Sequence, residues 1–459
     1  MINKHVISLM AFIPFVAQAQ TSTILINDVS TIITSVSKKD DDIEVLHNKD
    51  VLIVDGVINK ISDHIEVKTD KTIEGKGKIL QAGFVDTHDH LWQVDIRSCG
   101  NEHNLYGWIR DCDLLPAKAQ FTKDEAFAAI RTSTYDLINT GVTTVMDWNH
   151  TMTRGQTWGG LDALQQSGLR YVMAFNPSTD DTFNKDAYKL KSAIDKDPLG
   201  HMELASHPAI YMEATAKKAV ELAKELKVSV NFHYLENRTD DQLEQHTKVL
   251  KRIGADKVPL ILNHVVHPTD DEIAWMKDIH AKLTHNALSN MRLASGVMPL
   301  GKLHKAGLTV GLGLDGAAND NADFFTLMKA TVGLQRASHE DPTVYPSYKD
   351  VELLATIEGA KVLGLESSVG TVEVGKQADL ILLNPNTSNM GATWDSVAQV
   401  TLEAQPRNVE MVMVAGKILK ENGKVIITDE PLSALLAKNK QTVERFKTKY
   451  TKTKGDAPF

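Results

Sequence analysis

From Lys78 to Gly370, short apolar runs alternate with longer helix-like stretches. That alternation predicts repeated βα units around a parallel sheet, because strands covered on both faces read as continuous apolar runs. Eight strand candidates follow one another: ILQAGFVD ending at Asp86, VTTVMD at Asp147, LRYVMAF at Phe175, HMELAS at Ser206, VSVNF at Phe232, VPLILN at Asn263, AKLTH at His285 and LTVGLGL at Leu314. Eight such strands suit a closed (β/α)8 barrel. Thr122 with Glu125, Thr239 with Gln242 and Thr269 with Glu272 have capping-box spacing at helix starts, and Gly141, Gly254 and Gly307 stand where helices should stop.

The flanks differ. DVLIVDGVINKI before the barrel, and ADLILLN with VEMVMVAGKILKENGKVI after it, read as hairpin strands separated by Gly or Asn turns. Neither flank alone can bury two sheet faces, so the two chain ends are expected to meet in one small β-sandwich. The predicted organisation is a barrel over 81–370, with sandwich parts at 20–80 and 371–459. The tail after Leu432 is polar, helical or loose. Lys4, the apolar run Val6 to Val16 and Ala17-Gln18-Ala19 have the form of an export signal over residues 1–19, which places a periplasmic mature chain from Gln20. No later segment reaches the roughly 18 apolar residues of a membrane span.

Composition narrows the function classes. The 459 residues are 42% hydrophobic and 24% charged, an ordinary globular balance. Fifty Lys and Arg against 59 Asp and Glu give a net charge of −9 without long runs of one sign, so nucleic acid is not an expected partner. The only two cysteines are Cys99 and Cys112. An oxidising compartment permits them to pair, and two buried free thiols are the alternative.

Candidate chemistry collects at strand ends, the face on which barrel active sites are built. In Asp86-Thr87-His88-Asp89-His90, residues two apart point the same way and can place two imidazoles on one ion. His233 follows VSVNF, His264 follows VPLILN and Asp315 follows LTVGLGL.

GFVDTHDHL, NFHYLEN, ILNHVVH, THNALSNMRLASG and GLGLDGAANDNADFF resemble consecutive signatures of the amidohydrolase superfamily. They are closest to its branch of S-adenosylhomocysteine/methylthioadenosine deaminases, guanine-type deaminases and triazine hydrolases. The resemblance implies one divalent metal, zinc first and iron second, held by His88, His90, His233 and Asp315. Binuclear relatives carry a Lys at the end of the fourth strand. Here Leu204-Ala205-Ser206-His207 has none, which implies a mononuclear site. The resemblance further implies Glu236 as general acid, Asp315 as ligand and proton acceptor, and His264 as the residue that orients water or stabilises developing charge.

Gln93 and His207 match substrate-contacting positions, and Trp92 joins them as a candidate. Trp108 and Asn290 are weaker ones, while His267, His285 and Asn286 lie on matched motifs without a role. Lys118 stands where nucleoside-deaminating members carry a Glu, which favours free bases over ribosides. The implied activity is hydrolysis of a non-peptide C–N bond, foremost deamination of a small nitrogen heterocycle. The alternatives are hydrolytic dehalogenation or cyclic-amide hydrolysis at the same metal, or an exported ligand-binding barrel without turnover. A homo-oligomer is compatible with all of these readings.

Overall fold

A computed structural model of the protein describes residues 22–38, 42–316, 321–426 and 430–450. The expected export signal and its cleavage point at Gln20 lie outside them. Five strands come before the barrel: β1 (Thr23–Ser37), β2 (Ile43–Val54), β3 (Val57–Ser62), β4 (Lys71–Glu74) and β5 (Ile79–Ala82). Asp55-Gly56 turns β2 into β3 with φ of 49° and 79°, the left-handed pair of a type I′ hairpin, whose twist matches that of its strands.

The barrel strands are β6 (Phe84–His90), β7 (Val142–Asn149), β8 (Arg170–Phe175), β9 (Gly200–Ser206), β10 (Val230–Tyr234), β11 (Leu260–His264), β12 (Lys282–His285), β13 (Val310–Leu312) and β14 (Asp315–Gly316). They are parallel and paired in sequence order, and β14 returns to pair with β6. LTVGLGL, expected as one strand ending at Leu314, is thus an eighth strand in two pieces, interrupted at Gly313-Leu314. The run ILQAGFVD divides as well. Its first half, β5, belongs to the flanking sheet, and the barrel begins after Gly83. A Cβ at Gly83 would fall 2.1 Å from the Thr143 side chain, so only glycine lets the chain pass between the two sheets.

After the barrel come β15 (Leu380–Leu383), β16 (Val409–Val414), β17 (Lys417–Glu421) and β18 (Lys424–Val425). The flanking strands form one sheet in the order β18-β17-β16-β15-β5-β1-β2-β3, with β4 on β1. β4 and β5 lie parallel to successive parts of β1, so the sheet branches there. Ile26, Val29, Val51 and Ile58 of one arm share a buried cluster with Leu80, Leu382, Met411 and Met413 of the other. The expected sandwich is therefore a single branched sheet whose arms close over a common core.

Buried polar contacts fasten this sheet to the barrel. The Arg170 guanidinium donates to both Asp379 oxygens (2.9 and 3.1 Å), and Ser35 Oγ donates to Glu352 Oε1 (2.6 Å). The described part of the tail takes the helical alternative. Its helix, Leu432–Lys447, lies on the barrel helix Lys123–Thr140, where Arg445 Nε donates to Glu125 (2.8 Å) and Asn439 Nδ2 to Thr132 Oγ1 (2.8 Å).

Thr122 with Glu125 and Thr269 with Glu272 form the expected capping boxes. Thr239 makes no such bond, and Asp240–Glu244 is a π-helical turn instead. There Asp240 accepts the Asn237 N–H (2.8 Å) and the Tyr106 hydroxyl (2.7 Å), which draws the segment toward the barrel mouth. Cys99 and Cys112 are joined by a disulfide. Among the described residues, no helix is long and apolar enough to cross a membrane.

Candidate metal centre and active site

The side chains of β6 lace the start of the site together. Thr87 Oγ1 donates to the Leu312 carbonyl (2.9 Å), and Asp86 Oδ1 accepts the Leu314 N–H (3.2 Å), so the strand bearing His88 and His90 is tied to the segment bearing Asp315. His264, Val265 and Asp315 hold left-handed backbone (φ 72°, 44° and 65°). Such conformations cost about 1–3 kcal/mol each and persist where surrounding structure imposes them.

Four buried side chains, His88, His233, His264 and Asp315, bring one ligand atom apiece within 4.8 Å of one another. The fourth expected ligand, His90, stands beside them with Nε2 3.2 Å from Asp315 Oδ1 and 3.2 Å from His233 Nε2. Thus the four expected ligands lie together, and His264 joins their cluster. His90 Nδ1 faces the Trp148 carbonyl (2.8 Å) and His264 Nδ1 faces Asn290 Oδ1 (2.9 Å). An acceptor at Nδ1 fixes the proton there and leaves the Nε2 lone pair for the centre, the usual support of a metal-binding imidazole. His233 Nδ1 and both ring nitrogens of His88 have no hydrogen-bond partner among the described residues, although His88 Nε2 lies 3.3 Å from Asp315 Oδ1.

Charge at His88, His233 and Asp315 agrees with this geometry, while at His90 burial is overcome by the Asp315 carboxylate, which raises the imidazole above its ordinary value. Burial and neighbouring imidazoles hold His233 well below its ordinary pKa, and burial takes His88 down to about 3, so both stay neutral as ligands must. Burial alone would raise Asp315, but the His88 and His90 imidazoles beside it hold its carboxyl well below the usual range. Histidine nitrogens with one carboxylate suit zinc and other borderline divalent ions.

Glu236, three residues beyond His233, is buried with Oε2 3.5 Å from His264 Nε2 and Oε1 accepting from Ser295 Oγ (3.2 Å). Burial pushes its carboxyl up to about 7. These groups line an inner cavity of about 380 Å³, to which Gln93, Trp108, Asp113, His150 and His207 also contribute. His207 stacks on His233 with ring centroids 4.4 Å apart. A wider chamber of about 1460 Å³ shares Leu105, Ile109, His150, His207, His233 and Glu236 and adds Leu114, Met152 and Met212.

Two expected substrate contacts stand elsewhere. Trp92 is buried behind the cavity and donates its Nε1–H to His150 Nδ1 (3.1 Å), so it supports a wall instead of forming one. Lys118 is exposed, lines neither chamber, and donates to the Arg110 carbonyl (3.1 Å). It sits in the short helix Leu115–Ala119, whose buried side is Leu115, Pro116 and Ala119, and that turns the lysine outward. The preference for free bases argued from Lys118 therefore loses its structural basis. Asn290 and Asn286 back His264, His267 holds the Ser295 carbonyl (2.7 Å), and His285 is buried beneath the site.

Sequence reasoning missed His150, Asp113 and Ser295. His150 ends the run VTTVMDWNH, and a histidine just past a strand end is the signal that identified His233 and His264. Asp113, which burial pushes up to about 7, closes the π-helical turn Ile109–Asp113 and carries no motif.

The profile of the Amidohydrolase family matches residues 79–419. A 5-methylthioadenosine/S-adenosylhomocysteine deaminase of Caldanaerobacter subterraneus subsp. tengcongensis is 28% identical over 403 residues, covering 84% of this chain and 92% of that one. A 5'-deoxyadenosine deaminase of Methanobrevibacter smithii is 30% identical over 417 residues, covering 86% and 93%. Among solved structures, a zinc-bound adenosine deaminase from Xanthomonas campestris superposes with a TM-score of 0.80 at 23% identity, over 93% of this chain and 99% of the other.

Proposed function

The chain belongs to the amidohydrolase family, and we propose that it is a deaminase of substituted amino heterocycles working with one divalent ion, zinc in the first place. The observation that carries this reading is the convergence of His88, His90, His233, His264 and Asp315 beside a buried Glu236. A divalent ion held by these donors supplies Lewis acidity and makes water nucleophilic at neutral pH. Asp315, ionised between two imidazoles, takes the proton from the attacking water. Glu236 delivers a proton to the ring nitrogen next to the carbon under attack, which a developing anion there requires. His264, held by Asn290, presents Nε2 to the oxygen and stabilises its charge. A C–O bond forms, the exocyclic C–N bond breaks, and ammonia leaves.

The inner cavity accommodates the ring, and the apolar outer chamber supports a substituent on it. Two relatives are named as deaminases of adenosine derivatives, and Lys118, outside both chambers, does not oppose a substrate of that class here. The experiment is an ammonia-release screen of amino heterocycles with and without apolar 5'-substituents, run beside elemental analysis. About one metal per chain and turnover of the substituted compounds are expected. Ammonia from none of them, with the metal in place, would refute deamination and leave dehalogenation or ring opening.

Export to the periplasm belongs to the same reading, supported by the run Val6 to Val16, by Ala17-Gln18-Ala19 and by the Cys99–Cys112 disulfide. N-terminal sequencing of the periplasmic protein should begin at Gln20, and an intact Met1 in the cytosol would refute it.

A further inference from the structure

Between the turn that follows β6 and the C-terminal helix Leu432–Lys447 lies another cavity, of about 860 Å³, which shares no lining residue with the two chambers above. Asp95 lines it. This aspartate is 3% exposed, and neither of its carboxylate oxygens has a hydrogen-bond partner among the described residues. Two other buried acids show the contrast. Asp50 accepts the backbone N–H of Asp28 and of Ile65, and Asp379 is paired with Arg170. A buried carboxylate without donors is costly, and each one in a native fold calls for a partner. Burial, with the field of Glu125 adding to it, pushes the Asp95 carboxyl well above its ordinary range, against the opposing influence of Arg97.

The remaining lining defines what the partner must be. Leu115, Phe446 and Tyr450 offer an apolar wall, while Arg97 and Lys447 stand exposed at the rim. Both cations sit in exposed ion pairs, Arg97 with Asp136 (3.3 Å) and Lys447 with Glu444 (2.8 Å). Exposed pairs contribute little, so either cation can exchange its partner for a ligand's carboxylate. Asp95 and Arg97 are two residues apart and feel each other's charge, which sets an acceptor of ammonium protons beside a donor to carboxylate.

We propose that this cavity is a second binding site, which takes a free α-amino acid with an apolar side chain. The ammonium donates to Asp95, the carboxylate accepts from Arg97, and the side chain packs on Leu115, Phe446 and Tyr450. Binding there is independent of the substrate pocket.

The test is calorimetric titration of the metal-loaded, disulfide-intact chain with L-phenylalanine, beside phenethylamine and 3-phenylpropanoate, each of which lacks one of the two charges. Saturable binding of one phenylalanine per chain is expected, with both analogues weaker and no competition from a substrate of the ammonia screen. Asp95→Asn should weaken phenylalanine by tenfold or more, equivalent to about 1.4 kcal/mol. It should leave the melting temperature unchanged or raised, since it removes an unpartnered buried carboxylate. Absence of binding at millimolar phenylalanine, equal affinity in Asp95→Asn, or displacement by the substrate would each overturn the proposal. None of these results depends on whether the metal centre deaminates.

Discussion

Replacing Glu236 with Gln separates proton delivery from metal binding. The two side chains have nearly the same shape, and Ser295 Oγ, 3.2 Å from Oε1, can still donate to the amide oxygen of Gln. What disappears is the transferable proton, because an amide N–H does not ionise at accessible pH. Glu236 is not among the four residues whose ligand atoms cluster within 4.8 Å, so metal content should stay at about one equivalent. A positioned general acid contributes about 10²–10⁴ in rate, or about 2.7–5.5 kcal/mol of barrier. With Oε2 3.5 Å from His264 Nε2, the lost group faces the reacting centre directly, and we expect kcat to fall by at least about a hundredfold. KM should change little, since the proton is needed in the transition state and not for binding. The assay is ammonia release under saturating substrate, with metal measured on the same preparation. A variant whose kcat stays within about threefold of the parent, or one that loses its metal, would show that Glu236 does not carry the proton.

Asp315→Asn removes the one anionic donor from a cluster of imidazoles, and elemental analysis should find metal as well as activity lost. Arg170→Met leaves Asp379 buried with the Ala415 N–H in place of the guanidinium, a loss of about 3–5 kcal/mol that a lower urea midpoint would register. Glu352, held by Ser35 and raised by burial to about 7, binds its proton more tightly in the folded than in the unfolded chain. Stability should therefore fall as pH rises from about 4.5 to about 7, by roughly 3 kcal/mol, and urea midpoints of Glu352→Gln should show that slope removed. The Cys99–Cys112 bridge spans 13 residues, and reduction should cost about 3 kcal/mol by loop entropy; an unchanged midpoint under reductant would contradict this.

The barrel and the cluster proposed to hold the metal were legible because two local signals coincide: a buried strand reads as an apolar run, and a ligand must sit where that run ends. His88, His90, His233 and Asp315 each satisfy both. What stayed hidden depends on contacts between distant segments. No local pattern tells that ILQAGFVD serves two sheets, since Gly83 is set by the approach of Thr143 from another strand. Lys118 matched a family position, yet a one-turn helix decides which way it points, and there the buried side is Leu115, Pro116 and Ala119. Asp113 reaches the cavity beside His150 and Gln93, an approach that spacing alone does not encode.

β5 lies between a strand made early, β1, and one made late, β15. While the chain emerges from the ribosome, the hydrogen-bonding edge of Ile79–Ala82 that faces Leu380–Leu383 has no partner until nearly the whole barrel has been synthesised. An open apolar edge of that kind is a template for pairing with other chains. Protection by a chaperone, or a wait in the unfolded state, is then built into the biogenesis of this protein. A chain ending before Leu380 should aggregate even though His88, His90, His233, His264 and Asp315 are all present.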